Sequence, residues 1–293
     1  MDLNLVKLNI ALLKDDLQPA VQLLSGRGVV FEEELKRVAC RKTGSSCPAC
    51  SCNESCPVSA VISKELSSNP DLVRWHQKPG LPFVFEMIDF GSDDPRLGLT
   101  LLGPAITHMP LLLKTVDHIL GRQAVRRITV LDYQGHNVVL NGAATAVCDN
   151  IPVLSTSELL ALSASCFGLI ERVYIDVLSP LRLIRDGRQL NHFDPVFFIR
   201  TILRRLSSLF AYYGSGVEHE QIRILSELAS TVRLVRYVKK NVTDKARTRG
   251  MSGCYELVGP FHELGPYLTL GGLLHVGKGA AYGMGAFNVT PIS

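Results

Sequence analysis

The sequence predicts an α+β chain of two tandem domains of related build, the second closing on a glycine-rich loop. Three observations predict it. Composition shifts to small and polar residues near 145–168, dividing 293 residues into two ordinary domains. A strand followed by a helix recurs in both halves, and four glycines crowd into 277–285 ahead of a last alternating apolar run. With 46% hydrophobic residues the chain has apolar side chains enough for two cores.

The elements follow in order. A first helix runs from Gly28, with Phe31 and Leu35 one turn apart and Arg37 beyond them. Arg127-Ile-Thr-Val-Leu-Asp-Tyr reads as a strand late in the first half, and Arg172-Val-Tyr-Ile-Asp-Val as a strand opening the second. Between them Thr145 to Gly168, with Pro152 and its serines, reads as the linker, giving domains at 1–150 and 165–293. A second helix places Val196, Ile199, Ile202, Leu203, Leu206, Leu209 and Phe210 on one side, and Arg200, Arg204 and Ser208 on the other, with Arg205 at the margin. Phe198, Ile202 and Arg204 repeat the spacing of Phe31, Leu35 and Arg37. The basic side has two readings, an RNA-facing stripe or an ordinary solvated surface.

A formal charge of +4 and a pI near 8.6 permit nucleic acid as a partner. No apolar run approaches the roughly 20 residues that cross a bilayer, and Met1-Asp-Leu-Asn-Leu-Val-Lys is not a signal peptide, so the expected location is the cytoplasm, without membrane.

The loop Gly277-Lys278-Gly279-Ala-Ala-Tyr-Gly283-Met-Gly285 brings bare backbone near something, and a phosphate chain suits it. It is not a Walker A loop, because Gly279 stands where Ser or Thr would hold magnesium. Nor is it a dinucleotide fingerprint, because eight residues follow Gly285 where a βαβ unit needs far more. A glycine-rich turn ahead of a last strand remains the other reading. Beside it, His275 is either an acid–base group or a core histidine.

Cys40, Cys47, Cys50, Cys52 and Cys56 fall within seventeen residues. Four of them can make a structural zinc site, with Cys47-Pro-Ala-Cys50 as its knuckle, or the set is a reduced loop without metal. No Gly-x-Ser-x-Gly elbow or His-Glu-x-x-His motif occurs, and the acidic residues are scattered, which excludes a serine hydrolase, a zincin and a two-metal nuclease.

The run from His262 through Gly283-Met284-Gly285 to Val289 resembles the carboxy-terminal signature of the CRISPR repeat-specific endoribonucleases of the RAMP superfamily, which cut precursor CRISPR RNA. Tyr174 to Gly187 followed by Phe193 to Leu206 is similar to that family's strand, turn and helix, and Gly28 to Cys56 to the helix and cysteine segment of one subgroup. Strands, helices and resemblance together favour two tandem ferredoxin-like (RRM-like, RAMP) βαββαβ domains with a carboxy-terminal glycine-rich loop. The aromatic RRM motif is missing, so recognition would rest on backbone shape and charge, as suits a hairpin stem.

The resemblance implies a metal-independent endoribonuclease that needs no catalytic cofactor. The substrate's 2′-hydroxyl attacks the adjacent phosphate, leaving a 2′,3′-cyclic phosphate, and the enzyme stays on the 3′ end of its product. The repeat hairpin and other subunits of a CRISPR effector complex would be its partners. By the subgroup's cysteines the zinc ligands would be Cys40, Cys47, Cys50 and Cys56.

Many members carry a histidine in or near the first helix, whereas Glu32, Glu33 and Glu34 stand there in this chain and the first histidine is His76. Two readings follow. In one, Arg27, Arg37 and Arg41 around the first helix, with Lys278 and His275, carry the chemistry by stabilising the phosphorane. In the other, the chain is a catalytically inactive CRISPR RNA-binding subunit. RNA contacts are expected from Gly277, Lys278, Gly279, Gly283, Gly285, Arg200, Arg204, Arg247, Arg249, Arg126 and Arg127.

Overall fold

The computed structural model describes residues 1–13, 17–25, 28–40, 50, 56–62, 69–77, 79–121, 124–140, 151–238 and 250–292. The chain forms two compact units, one of Asn4–Leu154 and one of Met1–Leu3 with Ser155–Ser293.

The amino-terminal unit runs β1 (Asn4–Leu12), α1 (Gln18–Ser25), α2 (Val29–Ala39), α3 (Pro57–Ile62), α4 (Pro70–Trp75), β2 (Phe83–Ile88), β3 (Arg96–Leu102), α5 (Met109–Leu120), β4 (Val125–Leu131) and β5 (Asn137–Val139). Its strands lie in the order β2-β3-β1-β4-β5 with antiparallel neighbours. Helical segments cross from β1 to β2 and from β3 to β4, so this is a ferredoxin-like βαββαβ unit extended by β5.

Register explains which face is buried. Leu8 pairs Leu99, Leu99 pairs Phe85, and Ile10 pairs Leu97, so these side chains share the face on which Phe31 of α2 meets Phe83 and Phe85 at ring distances of 5.1 and 5.0 Å. Phe31, Leu35, Phe83 and Phe85 are fully buried. The opposite face is polar. There Lys7 pairs with Glu86 at 3.1 Å, and Asn9 and Thr129 both bond Asn137, at 2.7 and 3.2 Å.

A two-residue strand, β6 (Leu154–Ser155), stands at the division. The carboxy-terminal unit then runs α6 (Thr156–Phe167), β7 (Arg172–Leu181), the hairpin β8 (Ile184–Arg185) and β9 (Arg188–Gln189), α7 (Pro195–Tyr213), α8 (His219–Leu228), β10 (Arg233–Val238), β11 (Met251–Val258), α9 (Phe261–Leu274) and β12 (Phe287–Ile292). The order β10-β11-β7-β12, antiparallel throughout, is again that of a ferredoxin-like unit, with α7 and α9 as its two crossovers.

Alternation buries Val173, Ile175 and Val177 of β7, while Phe198, Ile202 and Leu206 of α7 are buried at helical spacing. Phe198 meets Phe287 of β12 edge-on at 5.0 Å. α7 starts where Asp194 accepts the Phe197 amide at 2.9 Å, with Pro195 at its first position.

The structure departs from the sequence reading in the stretch read as linker. Thr156–Phe167 of that stretch is helix, begun by Ser155, whose hydroxyl accepts the Glu158 amide. Ser155-Thr-Ser-Glu158 is a capping box, and it overrides the small, polar composition that suggested a loop. Phe167 lies against α9 where Gly265 leaves room, since a Cβ there would stand 2.2 Å from the ring.

The first three residues join this unit. Leu3 donates to the Thr156 hydroxyl at 2.9 Å and accepts the Thr156 amide at 3.1 Å, Asp2 accepts from Ser155 Oγ at 2.8 Å, and the Asp2 amide donates to Ser215 Oγ at 2.8 Å. No helix among the described residues is long and apolar enough to cross a membrane.

Candidate nucleic-acid interface

The glycine-rich segment is built by its own backbone. After α9, His275 takes φ 57 and turns the chain out of the helix. Val276 donates to Gly285 O at 3.1 Å and closes the loop, while Lys278 donates to Arg182 O at 2.9 Å and Gly285 to Pro180 O at 3.2 Å, fastening it to the end of β7. Gly277, Gly279, Gly283 and Gly285 all have positive φ. A Cβ on Gly277 would stand 2.5 Å from Arg182 O, and one on Gly285 1.9 Å from Val276 O. At these two positions the close approach that the sequence reading reserved for an anion is made by the chain's own carbonyls.

Lys278 is exposed, and Arg182, which the sequence reading passed over, shares the loop's anchor and points its Nε at Gln189. His275 is only 1% exposed. A group that exchanges protons with RNA must be reachable, and in this position the imidazole is not, so its acid–base role is not carried further.

On α7 the basic side is divided. Arg200 donates to Ser226 O at 3.1 and 3.2 Å and to Ser230 Oγ at 2.7 Å, a capping role toward the end of α8, whereas Arg204 is exposed. Ser208, placed with them from helical spacing, is buried. Arg205, placed at the margin, turns inward: its Nε donates to Leu274 O at 3.0 Å, and burial pushes its guanidinium down to about 10.

In the amino-terminal unit Arg126 and Arg127 of β4 are exposed. Arg127 borders a cavity of about 110 Å³ on the polar sheet face, with Asn9, Asp94, Arg96, Thr129 and Asn137. On α2, Arg37 grips Glu34 in bidentate fashion, Nε to Oε2 at 2.8 Å and Nη2 to Oε1 at 2.5 Å. That carboxyl is held below the usual carboxylate range, first by the Arg37 hydrogen bond, then, against partial burial, by His118. His118 reaches the pair from α5, its Nδ1 lying 3.2 Å from Glu34 Oε1 and 3.1 Å from Arg37 Nη2. No sequence spacing signals this meeting, because 81 residues separate Arg37 from His118.

Arg27, Arg41, Arg247, Arg249 and Cys47 lie outside the described residues. Cys40, Cys50 and Cys56 are half-buried, and no group of three or more His, Cys, Asp or Glu among the described residues can hold a metal ion. The described residues therefore do not by themselves make a zinc site.

Residues 175–287 match the family model of CRISPR-associated endoribonuclease Cas6. Over this stretch the carboxy-terminal unit is similar to the Cas6 family. Residues 25–140 match a second model, the AF_1859 amino-terminal domain. Among solved structures the chain is similar to Thermus thermophilus Cas6, at 17% identity and a TM-score of 0.51, over 100% of this chain and 98% of that one. It is also similar to a Cas6 in complex with a substrate mimic, at 14% identity and 0.54, over 98% and 99%. A third likeness, at 12% identity and 0.57, is to the Cas6-containing chain of a partial Cas6-RT-Cas1–Cas2 complex, covering 99% of this chain and 46% of that one. No curated protein matches it by sequence. The family match thus falls on the stretch that carries the carboxy-terminal signature, and the Cas6 neighbours share the fold along nearly the whole chain.

Proposed function

We propose that the chain is an endoribonuclease of the cytoplasm that cleaves precursor CRISPR RNA at the base of its repeat hairpin, without metal, and keeps hold of the 3′ end of its product. The 2′-hydroxyl attacks the adjacent phosphate and leaves a 2′,3′-cyclic phosphate and a 5′-hydroxyl. The observation that carries this reading is the Cas6 match across 175–287, which spans the strand, helix and glycine-loop framework of the carboxy-terminal unit. The likeness to Cas6 structures holding a substrate mimic or product supports it.

Such a reaction needs a proton acceptor at O2′, cations beside the phosphorane and a proton for the leaving oxygen. Among the described residues, Arg37 and Lys278 are exposed cations able to meet phosphate, and Arg204, Arg126 and Arg127 extend the positive surface. Arg27 and Arg41 stay in the proposal as flanks of α2, and Arg247 and Arg249 as further phosphate contacts. Other CRISPR protein subunits are proposed as partners, in line with the neighbour found in a Cas1–Cas2 assembly.

A second reading rests on one feature: α2 carries Glu32, Glu33 and Glu34 and no histidine, as an RNA-holding subunit without cleavage would allow. Incubation with the cognate repeat in excess EDTA, beside a substrate with one 2′-deoxy at the cleavage site, separates the two. Cleavage of the all-RNA substrate alone supports the enzyme. Tight binding with neither substrate cut refutes it and leaves the binding subunit.

A further inference from the structure

An i,i+3 Arg–Glu pair on a helix surface is ordinary and contributes a few tenths of a kcal/mol, roughly 0.3–0.5. What sets Glu34–Arg37 apart is the imidazole that a second helix adds to it. Glu34 is the most enclosed member of the cluster, with its side chain 17% exposed against 33% for His118 and 66% for Arg37. Its Oε1 faces both Nδ1 of His118 and Nη2 of Arg37.

Two groups meet Nδ1: Glu34 Oε1, which can only accept, and Arg37 Nη2, which can only donate but has its shorter contact, 2.5 Å, with Oε1. With the Arg37 proton directed to Oε1, the carboxylate favours the tautomer with the proton on Nδ1, which leaves the lone pair on Nε2. Nε2 makes no hydrogen bond among the described residues, and His118 stands in the last turn of α5, on the exposed side of the helix. Lys114, one turn earlier and also exposed, shares that face. Arg37 keeps Nη1 uncommitted among the described residues. The charged groups around the imidazole are therefore Glu34 and Arg37 from α2 and Lys114 and Asp117 from α5. Of the other elements against α5, α1 carries no charge, and the 3-10 turn Gly103–His108 that leads into α5 carries one titratable group, His108, whose imidazole burial holds below its ordinary value.

Base, orienting carboxylate and two cations on one accessible surface are what attack by a 2′-hydroxyl requires. We propose that His118 is the general base of the cleavage reaction, with Glu34 as its positioning residue and Arg37 and Lys114 bracketing the scissile phosphate. This rests on the endoribonuclease reading above. It moves the histidine expected near the first helix to a neighbouring helix that packs against it.

In the step, the O2′ proton passes to Nε2 and the freed electron pair of O2′ forms the O2′–P bond. The P–O5′ bond breaks with its pair going to O5′, which takes a proton from water. The imidazolium then returns its own proton to the resulting hydroxide.

The experiment is single-turnover cleavage of the cognate repeat by the full chain in EDTA, across a pH series, with repeat affinity measured in parallel. His118→Ala is expected to lower the rate about a hundredfold to ten-thousandfold, to change affinity less than about threefold, and to regain rate on addition of free imidazole. It should also lose the rise of rate with pH that the unaltered protein shows. Glu34→Gln should slow cleavage while keeping that rise, since the base remains but loses its orienting charge. His136→Ala, an exposed histidine paired with Asp132, serves as control and should leave the rate unchanged. If His118→Ala cleaves within about threefold of the unaltered protein, the assignment is overturned and the endoribonuclease reading survives. If the unaltered protein binds the repeat and never cuts it, both fall together.

Discussion

The fastening of the glycine loop can be tested by adding one methyl group. Gly285→Ala places a Cβ 1.9 Å from Val276 O, a carbonyl in the strand of chain that Gly285 itself holds, and asks alanine to adopt φ 67. The left-handed backbone alone costs about 1–2 kcal/mol, and forcing the carbonyl aside adds an overpacking strain of about 1–3 kcal/mol. Gly187, in the β8–β9 turn, separates the two contributions, because it has φ 77 and nothing within 4 Å of an added Cβ. Gly187→Ala should therefore show the conformational cost alone. With about 2–4 °C of melting temperature per kcal/mol at this size, Gly285→Ala is expected to melt about 5–15 °C below the parent and Gly187→Ala a few degrees below it. Circular dichroism melts of both variants provide the readout. Two variants melting within about 2 °C of each other would refute the idea that the loop's glycines answer to its own carbonyls.

Asp194 couples helix capping to pH. Burial raises its carboxyl, but the Phe197 amide and Arg185 outweigh that and hold it below the ordinary value. Its stabilisation is thus complete above the ordinary carboxylate range and is lost as pH falls through the lowered value. Asp194→Ala should cost about 0.5–2 kcal/mol at neutral pH and narrow its gap to the parent in acid, as read from urea titrations at several pH values. Arg205→Ala leaves Leu274 O and a cavity behind and should lose about 2–4 kcal/mol. Arg205→Met, filling the space without a buried charge, should lose less, and equal losses in thermal melts would contradict that account. The zinc proposed on Cys40, Cys47, Cys50 and Cys56 predicts one equivalent of zinc per chain by elemental analysis, released when the thiols are modified. A metal-free, fully folded protein would rule it out.

Much of the fold was legible because two periodicities carry it. Phe31 with Leu35 and Phe198 with Ile202 announced two related helices, and both pairs are buried where the pattern put them. Helix α6 was hidden by its small residues, although Ser155 and Glu158 held its start in plain sequence. The site was read less well, for reasons of side-chain geometry. Helical spacing placed Arg200 and Arg204 together, but Arg200 bends to the carbonyl of Ser226, and no pattern in α7 foretells that choice. Glycine content signalled a close approach without saying to what, and at Gly277 and Gly285 the neighbour is backbone. His118 was invisible for a simpler reason: its partners are remote in sequence and meet it only because α2 and α5 lie side by side on one sheet.

The hydrogen bonds of residues 1–3 give the chain an unusual thread. Residues 4–154 leave the carboxy-terminal unit after Leu3 and rejoin it at Ser155, where the Thr156 amide meets Leu3 O. In topological terms the amino-terminal unit is an insertion, tied off at its neck like a loop in a cord. Closing a flexible segment of that length costs on the order of 4 kcal/mol. Once the neck is tied, that entropy is already removed from the unfolded inserted unit, so each unit steadies the other through chain connectivity alone.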